Sequence, residues 1–258
     1  MSKIAEAFNN KKAFIPFITC GDPDLETTEK IIVELEKNGA DLIELGIPFS
    51  DPTAEGPVIQ GANIRALKNK ITTDDVFEMV DRVCNKVKVP LVFMTYANVV
   101  FSYGMERFFS NCKDKGIDGI ILPDVPFEEK AEFEEVASSF GVDFISMIAP
   151  TSKERIDMIA KEAKGFIYVV SSLGVTGTRA EINSNIKDLV KRVRKNTDVP
   201  CAVGFGISNP KQAATMAGIS DGAIVGSAIV RMIEKYGKDS PKEVGRFVKD
   251  IKEAYHAS

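Results

Sequence analysis

Eight short runs dominated by apolar residues recur along the chain, separated by longer stretches that carry a helical charge pattern. They occupy residues 13–18, 42–45, 91–94, 119–122, 144–148, 166–170, 201–203 and 223–225. Near-continuous apolarity over so few residues suits strands of a parallel sheet with both faces covered by helices. The segments between them read as helices. In 24–38, Ile31, Ile32 and Leu35 share one side, Glu29, Lys30, Glu34 and Lys37 lie around the other, and Asn38-Gly39 supplies the stop. Glycine, an apolar residue and aspartate precede a strand at Gly39-Ala40-Asp41, Gly116-Ile117-Asp118 and Gly141-Val142-Asp143, marking helix stop, short turn and next strand. The longest interval follows the second run. It holds a loop, a helix-like segment at 58–67, and a second helix capped by Thr73 and carrying Val76, Met79, Val80 and Val83.

Eight strand–helix units with no linker predict one domain over 1–258, a (β/α)8 TIM barrel with an extra N-terminal helix and an extra short helix after strand eight. A doubly wound open sheet is the competing architecture. It usually places a Gly-x-Gly-x-x-Gly turn after its first strand, where this chain has Thr19-Cys20-Gly21-Asp22-Pro23. A barrel directs attention to the C-terminal ends of its strands.

Composition narrows the chemistry. With 33 Lys and Arg against 37 Asp and Glu, the net charge of −4 argues against a general footprint for nucleic acid or anionic membrane. Residues 1–8 lack the apolar core of a signal peptide, and no run approaches the roughly 20 apolar residues of a bilayer span. Cys20, Cys84, Cys112 and Cys201 are widely spaced and the one histidine is His256, so no metal site is expected. The thiols suit a reducing cytoplasm. Chemistry here falls to carboxylates, hydroxyls and backbone groups.

Glycine-bearing segments follow strands six, seven and eight: Gly174-Val175-Thr176-Gly177, Gly204-Phe205-Gly206 and Gly226-Ser227. After the last, a short helix over 228–235 stops at Gly237, and a new helix starts with Ser240 as N-cap and Pro241 in its first position. Glycine loops feeding an extra short helix after strand eight fit the phosphate site of such barrels. Free N–H groups at the helix N-terminus and closely approaching glycine backbones hold a dianion without need of Lys or Arg. A phosphorylated small substrate is expected.

Glu44 stands inside the second apolar run, where an ionised carboxylate costs several kcal/mol unless paired or protonated. No strand run carries a Lys or Arg to pair it. A desolvated carboxylate with a raised pKa can donate and accept a proton near neutrality, which suits a general acid/base. Just downstream, residues 48–57 form a proline-rich loop bearing Asp51 and Glu55, either of which can serve as a second acid.

The run Leu42-Ile43-Glu44-Leu45-Gly46-Ile47-Pro48-Phe49-Ser50-Asp51-Pro52 strongly resembles the signature of tryptophan synthase alpha subunits. So do Pro16-Phe17-Ile18-Thr19-Cys20-Gly21-Asp22-Pro23, Tyr96-Ala97-Asn98, Leu122-Pro123-Asp124-Val125-Pro126, Ser171-Ser172-Leu173-Gly174-Val175-Thr176-Gly177 and Gly204-Phe205-Gly206-Ile207. The resemblance runs through nearly the whole chain in order. It implies retro-aldol cleavage of indole-3-glycerol phosphate to indole and glyceraldehyde 3-phosphate. Indole then passes to a beta subunit, expected as an alpha2beta2 heterotetramer, that holds pyridoxal phosphate; no cofactor is implied in this chain. Glu44 matches the family's acid/base, and Tyr168 the tyrosine beside it. Thr176 lies in the loop that closes over substrate. Gly177, Gly206, Gly226 and Ser227 fall at the phosphate site, and Phe17, Tyr96, Leu122 and Phe205 match positions lining the indole pocket. The family's second catalytic carboxylate is usually Asp; here it is Glu55, one methylene longer. The alternative function is a non-catalytic partner that activates a beta subunit. A different phosphosugar barrel enzyme, an epimerase or isomerase, would want His, Lys or a metal cluster at the strand ends, which this chain does not offer.

Overall fold

The computed structural model describes residues 2–9, 11–152, 154–170, 179–204 and 206–256. Every apolar run forms a strand: β1 (Ala13–Thr19), β2 (Ile43–Gly46), β3 (Leu91–Met94), β4 (Gly119–Ile121), β5 (Asp143–Phe144), β6 (Ser146–Ile148), β7 (Ile167–Val170), β8 (Cys201–Gly204) and β9 (Gly222–Val225). All pairings are parallel, in the order β5-β4-β3-β2-β1-β9-β8-β7-β6. The fifth apolar run supplies both ends of that order. Its first half pairs with β4 and its second with β7, with Ile145 between them donating its N–H to the Ile120 carbonyl at 2.9 Å. Eight runs thus become nine strands, and the sheet curls into a nearly closed TIM barrel.

Alternation along each strand separates two apolar layers. Ala13, Ile15, Leu42, Val92, Ile121, Phe166, Tyr168, Ala202 and Ile224 pack together in the interior. Phe14, Ile18, Ile43, Leu45, Phe93 and Ile120 belong to the outer layer, beneath the helices. Each large side chain so buried contributes about 1.5–3 kcal/mol. The N-terminal mouth is plugged by α1 (Lys3–Glu6), whose Ile4 is fully buried. Gly119 lets it in: a Cβ there would lie 2.7 Å from Ile4 Cδ1. The opposite mouth carries the site.

The outer helices follow the sequence periodicity. In α2 (Leu25–Lys37), Ile31, Ile32 and Leu35 are buried, and Asp24 caps the first turn by accepting the Thr27 N–H at 2.7 Å. Pro57 opens α3 (Pro57–Lys68). The cap of α4 (Thr73–Cys84) is Thr72, not Thr73. Its hydroxyl accepts the Asp75 N–H at 3.2 Å while Asp75 accepts the Thr72 N–H at 2.8 Å, a reciprocal box that needs the acid three residues after the cap. Along the chain follow α5 (Ala97–Tyr103), α6 (Met105–Lys115), α7 (Ala131–Ser139), α8 (Ile156–Glu162), α9 (Arg179–Arg194), α10 (Pro210–Ile219), α11 (Ser227–Tyr236) and α12 (Ser240–His256). Ser240 does not cap α12. A 3-10 turn, Gly237–Asp239, leads straight in, Ser240 is itself helical (φ −60°, ψ −30°), and its buried hydroxyl has no hydrogen-bond partner among the described residues. A capping serine needs extended backbone, which this entry does not provide.

Candidate active site

Inward-facing side chains at the strand ends, the loop after β2 and the start of α11 enclose a cavity of about 350 Å³. Glu44 reaches it from β2, one inward step above Leu42. It is 1% exposed, and neither carboxylate oxygen has a hydrogen-bond partner among the described residues. Burial pushes its pKa up to about 8, and the charge of Glu55 adds to the rise. At neutral pH the carboxyl is therefore mostly protonated, which relieves the cost of a bare buried charge.

Two glycines fit aromatic rings around this acid. Phe17 on β1 is in register with Glu44, and a Cβ on Gly46 would lie 2.7 Å from the Phe17 ring. Tyr168 on β7 is buried, and a Cβ on Gly204 would lie 2.5 Å from its hydroxyl oxygen. Burial, and then the nearby Glu44 carboxylate, hold the Tyr168 phenol well above its ordinary range. It serves as a neutral hydroxyl.

Glu55 reaches the same cavity from the loop before α3. Its Oε2 accepts the Asn63 side-chain amide at 2.6 Å, and its backbone carbonyl accepts the Gln60 amide at 2.8 Å. Burial pushes Glu55 up to about 7, against the opposing pull of the Asn63 bond. Asp51, the other acid of that loop, is exposed, accepts the Ser50 hydroxyl at 2.5 Å and does not line the cavity.

At the far wall, Gly206 and Ser208 face Gly226 and Ser227. Gly206 has φ 73°, a left-handed conformation that side chains resist. Among the described residues no side chain caps α11, so its first N–H groups are suited to receive an anion.

Of the residues expected at the site, Phe17, Glu44, Glu55, Tyr168, Gly206, Gly226 and Ser227 line this one cavity. Thr176, Gly177 and Phe205 lie outside the described residues. Tyr96 stands behind the loop instead of on the wall. It stacks on Phe49 with ring centroids 5.1 Å apart, and its hydroxyl accepts the Ala54 N–H at 3.1 Å. Leu122 is turned away, because Ile121 takes the inward direction on β4 and the next residue faces out. It lines a separate hollow with Pro123, Phe127 and Phe144.

Sequence reasoning did not single out Asn63, Met94, Ile224 or Arg231. Met94 and Ile224 follow from strand parity, and both line the wall. Asn63 had a readable signal: with Ile59, Ala62 and Ala66 it makes up the buried face of α3, where an amide needs a partner. Arg231 follows Ser227 by four residues, one turn along the same helix face. Among the described residues no cluster of His, Cys, Asp or Glu is arranged to hold a metal, and no helix is long and apolar enough to cross a membrane.

A family model for the tryptophan synthase alpha chain matches residues 4–257. The chain belongs to the tryptophan synthase alpha chain family. It is 50% identical over 257 residues to the tryptophan synthase alpha chain of Lacticaseibacillus casei, spanning 100% of this chain and 97% of that one. The solved tryptophan synthase subunit alpha of Legionella pneumophila superposes with a TM-score of 0.91 at 35% identity, each chain covered in full. A chain from the tryptophan synthase α2β2 complex of Pyrococcus furiosus superposes with a TM-score of 0.87 at 35% identity, over 94% of this chain and 98% of that one. In this family member, Glu44 sits on the wall of a cavity whose lining runs from Phe17 on β1 to Arg231 on α11.

Proposed function

We infer that the chain, acting as one barrel domain, is a carbon–carbon lyase that splits indole-3-glycerol phosphate into indole and glyceraldehyde 3-phosphate. The observation that carries this reading is Glu44: a buried carboxyl with no hydrogen-bond partner among the described residues, on the wall of a cavity that Glu55 also lines, its pKa pushed up to about 8 by burial. Glu44 gives its proton to the indole carbon bearing the glycerol chain. The bond from that carbon to the hydroxyl-bearing carbon of the chain then breaks, and its electron pair restores the aromatic ring. The hydroxyl becomes the aldehyde and returns its proton to the Glu44 carboxylate, so the residue ends as it began. Glu55 accepts the indole N–H and offsets the positive charge that builds on the protonated ring. Phe17, Met94 and Ile224 give the ring an apolar wall, and Gly206, Gly226 and Ser227 take the phosphate.

Indole is small and apolar and is consumed elsewhere, so a docked partner that prevents its escape suits the chemistry. That partner is a beta subunit in an α2β2 assembly. Pyridoxal phosphate belongs to the beta subunit, and this chain works without a cofactor of its own. The buried free thiols of Cys20, Cys112 and Cys201 suit a reducing cytoplasm. A purely activating partner would have no use for a buried carboxyl on the wall of a cavity.

The test is incubation of the purified chain with indole-3-glycerol phosphate, alone and with a beta subunit, following indole release. Indole formed alone and faster with the partner is the expected result. No indole under either condition overturns the reading.

A further inference from the structure

The proposed substrate carries two negative charges into a cavity that already holds two carboxyl groups. Glu55, pushed only to about 7, is about half ionised at neutral pH and repels an incoming dianion. The N-terminus of α11 offsets this with the equivalent of about half a positive charge, felt over its first turn. Among the described residues one cation lines the cavity beside Gly226 and Ser227, and it adds a full positive charge: Arg231.

Arg231 is set apart from the other arginines whose side chains are described. Arg65, Arg82, Arg107, Arg155, Arg192, Arg194 and Arg246 each sit in an ion pair with a carboxylate. Arg231 pairs with no acid among the described residues and is exposed at the cavity mouth. The acid one turn further along its own helix, Glu234, is taken by Arg65 of α3 at 2.8 Å. Arg65 in turn clamps the buried Asp22 through two bonds of 2.9 and 2.8 Å, so it is not free to release Glu234. The network that ties α3 to α11 leaves the Arg231 guanidinium uncommitted, at the end of the cavity where the backbone donors converge.

We propose that Arg231 draws the phosphate end of the substrate into the cavity and holds it there. The site then selects dianions by charge as well as by backbone donors. This rests on the cleavage reading for the identity of the substrate. An exposed guanidinium acts within a Debye length of about 8–10 Å at moderate salt, so its effect falls on substrate capture and not on the proton transfers at Glu44.

The experiment compares the wild-type chain with Arg231→Gln, Arg231→Lys and Arg231→Glu. It measures KM and kcat for indole-3-glycerol phosphate between low and high salt, and binding of glycerol 3-phosphate and of the uncharged indolepropanol. Arg231→Gln raises KM about five- to tenfold at low salt, with kcat far less affected, and flattens the salt dependence. Arg231→Lys restores KM to within about twofold, and Arg231→Glu is worse than Arg231→Gln. Glycerol 3-phosphate binding weakens in parallel while indolepropanol binding stays level. An unchanged KM and glycerol 3-phosphate affinity in Arg231→Gln, equal losses for the uncharged ligand, or no rescue by lysine each overturns the proposal. A wild-type chain that binds glycerol 3-phosphate but releases no indole defeats the cleavage reading instead, and the binding data then judge Arg231 alone.

Discussion

The side-chain amide of Asn63 donates to Oε2 of Glu55 at 2.6 Å, a bond that holds the carboxylate in place and opposes the rise in its pKa that burial causes. The amide is 3% exposed on a packed helix, so it has little freedom to follow a carboxylate that moves. The Glu55 side chain is braced at its tip. Asn63→Ala removes the brace and a contact that favours the ionised form, so the pKa of Glu55 rises. Turnover is expected to fall about tenfold, and the acidic limb of the pH–rate profile moves to higher pH. A profile and rate like the wild type's would show that Asn63 does not position Glu55.

The two acids give the wild-type enzyme a narrow working range. The proposed mechanism needs Glu55 ionised and Glu44 protonated. Activity therefore rises with pH as Glu55 loses its proton through about 7, and falls as Glu44 loses its own through about 8. The groups influence each other, so the limbs belong to the pair. A kcat/KM profile peaking between about 7 and 8 is expected. A plateau running well past pH 9 would exclude Glu44 as the acid.

Glu44→Gln separates chemistry from stability. Turnover falls by roughly 10²- to 10⁴-fold, because an amide cannot carry the proton. Stability moves the other way. The folded pKa of about 8 lies above the ordinary 4.5, so the native state holds a proton that the unfolded chain releases between those values. Wild-type stability from this group is complete below the ordinary value and is lost as pH rises through about 8. Glutamine has nothing to lose, so the variant gains on the wild type with pH, by on the order of a few kcal/mol at pH 9. Urea unfolding at pH 5 and pH 9 reads it directly; a constant difference between the two proteins would contradict a buried, titrating Glu44.

Gly204→Ala tests the fit around Tyr168. The new methyl would sit 2.5 Å from the hydroxyl oxygen and 2.7 Å from the adjoining ring carbon, so the ring must give way toward the cavity. Substrate KM rises, and the fold loses about 1–3 kcal/mol. Gly218→Ala is the control. It lies on α10 with nothing within 4 Å of the added carbon, and gains about 0.5–1 kcal/mol in helix stability. Thermal unfolding of both variants distinguishes local crowding from a general intolerance of alanine.

Glu44 was legible in the sequence because a charge inside an apolar strand is costly and had no partner within reach. The phosphate end was legible because glycines recur after successive strands and a short helix follows the last. Tyr96 and Leu122 were placed by resemblance, which carries a position but not a direction. Strand parity turns Leu122 outward, and the Phe49 stack draws Tyr96 behind its loop. Arg231 was illegible for another reason. An arginine on an exposed helix face looks like any solvated charge until the neighbouring acid, Glu234, is seen to be occupied from another helix.

The fifth apolar run, which supplies both ends of the sheet, makes one point of the backbone unlike the rest. Cutting the chain in a surface helix leaves every strand pair intact. Breaking it at Ile145 would unzip the cylinder into an open ribbon with two unpaired margins, Asp143–Phe144 on one side and Ser146–Ile148 on the other. Such margins are templates for pairing with other chains. Circular permutants opened at that residue should aggregate where those opened between strands stay monodisperse.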